Sequence, residues 1–514
     1  MRRLGTRIFS DGSLTKKASL NSLAIVADFA ARTVVGFVVN PILVRSLGDV
    51  GFGNWQVLQR LVGHANPAGG RPGEALKWFV ANRQSSTDLE DKRRAVGSAI
   101  AVWLLFVPIL ALVGGVLGWF TPIWLHVPSA AFPMVRLAAA ILVADLILSG
   151  LTSIPWAVVQ GQNLGYKRLG MTTSLEFVGG GFLVIAVALG GGLVGLALAG
   201  IAATLLSGAL YLWIVRSYVP WFGVARPDLR AVGRFIRLSW WFLLWNLVTK
   251  VTMGADVIVL GIAGSSQEAT TYTLARFVPL TITAAVTSLI SGAMPGLGGL
   301  VGAGELARGA RVRSETMSFA WLIAAVGGAG ILLWERSFLT LWVGVRYYPG
   351  LGPVFLIVLM VLQLTLIRVD SNIIDLTLEL RWKVLLGLLA AGISVAIAWV
   401  LVSNFGLGIA GLVAGFMIGR TVQSIAYPVM IGRILGIPLQ TQLKGAIRPG
   451  LTTACLLGVA TALSAVVTAS TWVGLVLAGG VSIVGASSFA FFLGLPRGQR
   501  RQLWDRVRRV AKLR

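Results

Sequence analysis

Eight of the 44 Lys/Arg residues lie inside long apolar stretches: Arg32, Arg45, Arg60, Arg136, Lys250, Arg276, Arg368 and Arg420. A guanidinium is a planar, always-charged fork that grips phosphate or carboxylate through two parallel hydrogen bonds, and an ammonium is a point charge. A cation in hydrocarbon costs ~2.5–3.5 kcal/mol near a helix centre even on the lenient scale. Six acids lie at similar depth: Asp28, Asp145, Glu176, Asp256, Asp370 and Asp375. Cations in such excess cannot all face lipid, so they are expected to share a wet interior, and a positive interior implies a negative cargo. Arg60, Lys250, Arg276 and Arg420 have no acid within helical reach on their own segment, and with Arg32 and Arg368 they form the candidate binding set. Two pairs have the alternative of internal neutralisation: Asp28 with Arg32, four apart, and Arg368 with Asp375 on a face shared with Asn372. Arg45 and Arg136 lie near segment ends and can snorkel to the interface. Asp28, Asp145, Asp256, Asp370 and Asp375 are candidates for coupling a proton or sodium gradient to movement. For Asp256 and Glu176 the competing expectation is an interhelical salt bridge.

The elements that must hold these residues are membrane helices. The chain has 514 residues, is 56% hydrophobic and 12% charged, and its mean hydropathy is +0.82; a soluble protein carries about 25% charged residues. The apolar runs are long enough for spanning helices, at ~20 residues each, and too long for the strands of a closed barrel. The sequence predicts an all-α polytopic protein with fourteen spans near 19–46, 51–68, 95–120, 133–160, 167–189, 193–216, 239–263, 269–299, 316–334, 350–377, 383–402, 406–432, 450–468 and 473–494. With the N-terminus in the cytoplasm, the cytoplasmic segments carry 34 Lys/Arg and the opposite loops only Arg336 and Arg346. That is the positive-inside pattern, and it puts both termini in the cytoplasm.

A gapless shift of 216 residues lays Phe52–Val62 on Glu268–Val278 and Arg60 on Arg276, pairing spans 1 and 2 with spans 7 and 8 in the same orientation. The expected organisation is a cytoplasmic N-terminus (1–18), an N-lobe of six spans (19–216), a basic linker (217–238), a C-lobe of six spans (239–432), an extra helix pair (433–494) and a basic tail (495–514). The two lobes would be pseudo-symmetric bundles around a V-shaped central cavity. The tail, with Leu503, Trp504, Val507 and Val510 on one side, is expected to be a stop-transfer anchor with no specific role, with an anionic lipid surface as the alternative. The stretch 66–94 is expected to hold a short surface helix, Glu74 to Arg83. Most of the eighteen tryptophans, such as Trp119, Trp221, Trp334 and Trp342, fall near span ends as an interfacial belt. Trp55 and Trp245 are set to stack on a sugar or to pack. His64 is expected to be a hydrogen-bonded packing residue, and the glycine patches at 179–181 and 190–192 to be close-packing or hinge sites.

Several chemistries are excluded. One cysteine, Cys455, allows no disulfide, and two distant histidines make no metal motif. No Walker sequence, zinc pattern or serine nucleophile with a base is present, so neither cofactor nor metal is expected and the chain is not expected to be an enzyme. The net charge of +25 sits in short loops between spans, which argues against nucleic acid as partner. A membrane polysaccharide polymerase or ligase would need a larger outer loop with catalytic Arg or His. A multidrug or cation extruder would need an acidic lumen.

Leu43–Gln59 reads LVRSLGDVGFGNWQVLQ, in which Arg45, Leu47, Gly48, Phe52 and Gly53 fit the pattern L-x-R-x-LG-x-x-x-(F/Y)G. This resembles the start of the lipid-linked oligosaccharide flippases, the polysaccharide transporter branch of the multidrug/oligosaccharidyl-lipid/polysaccharide (MOP) superfamily. The basic opening Ser13–Leu23 is also similar. The resemblance implies movement of an undecaprenyl-pyrophosphate-linked oligosaccharide from the cytoplasmic to the periplasmic leaflet of a bacterial inner membrane, by alternating access of two lobes. It implies cavity cations on the pyrophosphate or acidic sugars, membrane lipids as surroundings, and a polysaccharide polymerase and other assembly proteins as partners. The related murein precursor flippases carry arginines in the first, second and eighth spans, which correspond here to Arg32, Arg60 and Arg276. The segment HANPAGGRPGEALKWF, which follows Arg60, departs from the more apolar stretch usual in relatives.

Overall fold

The computed structural model describes residues 14–83, 86–162, 164, 170–227, 229–302, 304–376, 380–496, 498 and 500. The expected tail helix and the side chains of Trp240 and Trp245 lie outside them. Among the described residues the chain is helical throughout and has no strand. In lipid each backbone N–H and C=O must be satisfied within its own segment, which leaves the helix as the form these apolar runs can take.

The chain divides into two compact units, 1–254 and 255–514. The first holds α1 (Leu14–Gly63), α2 (Pro72–Asn82), α3 (Leu89–Trp124), α4 (Phe132–Gly161), α5 (Met171–Ala188), α6 (Gly192–Tyr218) and most of α7 (Leu229–Val259). The second holds the end of α7, then α8 (Ser266–Ala275), α9 (Phe277–Gly302), α10 (Leu306–Trp342), α11 (Leu351–Leu376), α12 (Leu380–Ser403), α13 (Gly408–Leu435), α14 (Leu439–Ser464) and α15 (Trp472–Phe489). Among the described residues eleven helices are long and apolar enough to cross a membrane, or twelve if the bent pair α8–α9 is one span. Where the structure describes them, the expected spans lie mainly on helix, which is consistent with fourteen. Spans 1 and 2 are the two arms of α1, which breaks at Gly48, where φ is 70° and ψ 175°. That conformation is nearly closed to residues with a Cβ, which explains the glycine in the LVRSLG motif.

Local signals set the ends. Asp88 caps α3 by accepting from the Asp91 N–H at 2.9 Å, with Glu90 and Asp91 in the first turn. Pro72 opens α2, and Ser265 caps α8 by accepting from the Glu268 N–H. α8 and α9 meet at 49°. Pro279 lies just past the bend, and it cannot donate the helical hydrogen bond to the Ala275 carbonyl.

Each unit has its own apolar core. In the first, Leu76, Val80, Val96, Ile154, Val158 and Ile214 join α2, α3, α4 and α6. In the second, Ile290, Leu332, Val358, Ile373 and Ile431 join α9 to α11 and α13. Glycine permits the closest crossing: a Cβ on Gly419 of α13 would stand 2.3 Å from the Ser394 backbone nitrogen of α12. The helix expected near Glu74–Arg83 is α2. The outer loop expected at 335–349 is shorter, because α10 continues to Trp342. Trp342 is held there against Phe277 and Phe338, with ring centroids 4.8 and 5.2 Å away. Trp334, Trp342 and Trp221 are therefore packing residues, not belt residues, and Trp55 is likewise buried.

Candidate anion-binding site

In the second unit α7, α8 and α13 bring Asp256, Tyr272, Arg276 and Arg420 together. Tyr272 and Arg276 are one turn apart on α8 and its C-terminal cap, so both reach one acid. Asp256 Oδ2 accepts from the Tyr272 hydroxyl at 3.0 Å and from Arg276 Nη1, and its Oδ1 accepts from the Val257 N–H at 2.8 Å. Arg276 is 7% exposed and Arg420 3%. The Arg420 guanidinium lies over the Phe416 ring, 5.2 Å from its centroid, and within electrostatic reach of Asp256, Arg276 and Arg368. Among the described residues this cluster brings Arg276 and Arg420, with Arg368 in reach of Arg420, to the Asp256 carboxylate. Its charge is positive in surroundings that weakly screen it, which suits an anion with several oxygens.

In the first unit a second group forms where α1 ends. His64 Nδ1 donates to the Arg60 carbonyl at 2.6 Å, and the His64 ring lies within electrostatic reach of both Arg60 and Lys250. Lys250 in turn reaches Arg71. Arg60 and Lys250, chosen from sequence, are thus neighbours through His64. Arg71 was assigned to a cytoplasmic loop and was not in the candidate set.

The remaining expected residues go elsewhere. Arg32 donates from Nε to Glu176 Oε1 at 2.6 Å, and Asp28 accepts from the Thr172 and Thr173 hydroxyls at 2.9 and 3.0 Å. The expected Asp28–Arg32 pair is therefore replaced by contacts from α1 to α5. Arg368 and Asp375 do not pair either: Asp375 accepts from Lys383 Nζ at 2.5 Å. Lys383 is fully buried and also donates to the Ser371 carbonyl. Asp370 is held by both prongs of Arg313, at 2.8–2.9 Å. Arg313 was placed in a loop, but α10 begins at Leu306 and carries it into the unit. Arg276 has no acid within reach on its own helix and takes Asp256 from the preceding one, and Glu176 takes Arg32 from α1, which is the interhelical pairing expected as the alternative for both acids. Asp145 has a buried Oδ1 with no hydrogen-bond partner, and Thr204 bonds its side chain. Glu335, assigned to the outer loop, is 2% exposed inside α10. Arg136 stacks on Trp119 at 3.7 Å, as a snorkelling residue does, and Arg45 is exposed. No group of three or more His, Cys, Asp or Glu that could hold a metal occurs among the described residues.

Helices of this length and apolarity define a class, the multi-pass membrane proteins. The chain is similar to a multidrug resistance MATE family transporter of the MOP superfamily in its inward-facing conformation, with a TM-score of 0.63 at 14% identity, over 78% of this chain and 95% of that one. It is also similar to a MOP superfamily transporter from Pyrococcus furiosus whose binding pocket is described as having reversed polarity. There the TM-score is 0.55 at 14% identity, over 82% and 96% of the two chains. No curated protein is matched by sequence. The family described as "Polysaccharide biosynthesis protein" matches residues 16–297, more than half of the chain. The chain belongs to that family, as a multi-pass membrane protein with the fold of the MOP superfamily transporters.

Proposed function

We propose that the chain is a flippase that moves an undecaprenyl-pyrophosphate-linked oligosaccharide from the cytoplasmic to the periplasmic leaflet of a bacterial inner membrane, with both termini in the cytoplasm. The observation that carries this is buried Arg276 and Arg420 near one carboxylate, Asp256, with half-buried Arg368 within electrostatic reach of Arg420. A pyrophosphate offers several charged oxygens to such a set, and Arg is the residue suited to it. The same surplus disfavours export of organic cations, which would be repelled. Arg60 and Lys250 form the corresponding group of the first unit. The polar lumen of a transporter lowers the cost of these charges, since water and the cargo solvate them. Asp145 is the coupling candidate that the geometry favours, because Asp256, Asp370 and Asp375 are tied to cations.

The test is a leaflet-resolved assay. Vesicles containing the purified chain and a fluorescent undecaprenyl-pyrophosphate oligosaccharide are treated with an impermeant quencher. Wild-type protein should expose the inner-leaflet pool, and Arg276→Gln or Arg420→Gln should slow this at least tenfold. Arg60→Gln with Lys250→Gln should do the same. No protein-dependent exposure, or wild-type rates from all the variants, overturns the proposal.

A further inference from the structure

The stretch that departs from the family pattern, HANPAGGRPGEALKWF, builds a cavity. After α1 the chain makes a 3-10 turn, Asn66–Gly69, and then passes through the left-handed region at both Gly70 (φ 68°) and Arg71 (φ 43°). For arginine that conformation costs roughly 1–2 kcal/mol, and strain of this kind gathers at functional sites. The detour sets α2 across α4 and leaves a space of about 310 Å³ between α2, α3 and α4, wholly within the first unit. That is near the lower limit for small-molecule sites, ~300 Å³, and gives room for a single sugar ring.

The lining is mixed in the way a polyhydroxylated ligand requires. Glu74 accepts from Lys77 Nζ at 2.5 Å and lies 3.9 Å from Arg71, so one acceptor is flanked by two fixed donors. Asn66 and Gln160 add amides that both give and accept. The hydroxyls of Ser149 and Ser153 donate to the Leu146 and Gly150 carbonyls, which leaves their lone pairs as acceptors. Trp103 and Trp156 supply two indoles. Both rings are held in place: Trp103 Nε1 donates to the Ile147 carbonyl at 3.1 Å, and Trp156 stacks on Tyr211 with centroids 5.1 Å apart. The negative face of an indole attracts the C–H edge of a pyranose as it attracts other positive edges. Two cations against one acid leave the lining positive.

We infer that this cavity is a saccharide subsite that takes one pyranose bearing an acidic group, carboxylate or phosphate. It rests on the proposal that the cargo is a lipid-linked glycan, and it adds a place where a sugar of that cargo is read. A bare anion would need neither the indoles nor Glu74. A neutral sugar would leave Arg71 and Lys77 without an added counter-charge.

The test uses the full chain in nanodiscs and ligand-detected saturation-transfer NMR. Four probes are titrated: D-glucuronate, glucose 1-phosphate, methyl glucoside and inorganic phosphate. Glucuronate or glucose 1-phosphate should bind saturably, and the stronger of the two identifies carboxylate or phosphate as the acidic group. Lys77→Gln should weaken that binding about tenfold, the loss of one charge-assisted hydrogen bond. Trp103→Leu should weaken methyl glucoside and acidic sugars alike, while Arg308→Gln, an exposed surface position of the second unit, should change neither. Gln160 is exposed at the cavity edge, so Gln160→Ala gives a variant with little risk to folding and a smaller loss in the same direction. The inference is overturned by no saturable binding, by a Lys77-dependent component that inorganic phosphate fills as well as glucose 1-phosphate does, or by indifference to both Lys77→Gln and Trp103→Leu. Translocation by wild-type protein without such binding removes this inference alone. Binding without translocation removes the flippase proposal and leaves the subsite standing.

Discussion

Whether Arg276 holds cargo or only neutralises Asp256 can be decided by taking the pair apart in two ways. Both side chains are less than a tenth exposed, so removing one partner leaves the other as an uncompensated buried charge. Breaking such a pair costs about 3–5 kcal/mol. In Arg276→Gln the acid keeps its bonds from Tyr272 and the Val257 N–H, which puts the expected loss near the lower end, ~3 kcal/mol. The double variant Asp256→Asn with Arg276→Gln removes a pair that is neutral as a whole. The field at Arg420 then changes little, and most of the lost stability should return. The comparison pair is Arg32–Glu176, with side chains 66% and 29% exposed and so free to reorient, and breaking it should cost less than breaking the buried pair. Denaturant unfolding in micelles ranks the variants, and the quencher assay gives translocation per folded molecule. The expected result is that the double variant recovers stability and does not recover translocation. Full translocation by the double variant would refute the reasoning, since a cation that can be deleted along with its acid binds no cargo.

Two further outcomes follow from the packing. Asp370→Asn should cost about 3–5 kcal/mol because it strips a bidentate partner from buried Arg313, seen as lower membrane abundance with unchanged transport per molecule; Lys383→Met should cost less, because the Asp375 side chain it leaves behind is 41% exposed. Gly419→Val should force α12 and α13 apart, costing at least ~1–3 kcal/mol, because its Cβ would stand 2.3 Å from the Ser394 backbone, and a wild-type unfolding midpoint would show that the crossing is looser than described.

How much of this was legible in the sequence depends on distance along the chain. The helices were legible because apolar run length is a local quantity, and Gly48 marked the break in α1 because no other residue tolerates that conformation. The pairings were not legible. A search at one-turn spacing finds partners only on the same helix, whereas Arg32 meets Glu176 from 144 residues away and Arg313 meets Asp370 from 57. Arg313 and Glu335 were misplaced for a different reason. α10 runs 37 residues and continues past the apolar stretch at both ends, so hydropathy trimmed it to its middle. Tyr272 was within reach of inspection, one turn before Arg276. The turn at Arg71 was not, since nothing local forecasts a left-handed arginine.

Once partners are known, the eight cations in apolar runs cease to be equivalent. Arg45 is exposed and Arg136 stacks on Trp119, and both lie near segment ends from which they can snorkel. Arg32 lies against Glu176 at a half-open position, where the Coulomb gain and its loss are both small. Arg60 and Lys250 share a neighbourhood through His64, and Arg276 and Arg420 share another around Asp256, with Arg368 within reach of Arg420. Gathering like charges away from bulk water is the costliest of these arrangements, because each cation raises the energy of the next. Stability alone would disperse them or replace them with packed apolar residues, which is often neutral or better. An arrangement that opposes stability in both units is therefore a sharper pointer to a bound anion than the total of buried cations, and it narrows the set that substitution must address to Arg60, Lys250, Arg276, Arg368 and Arg420.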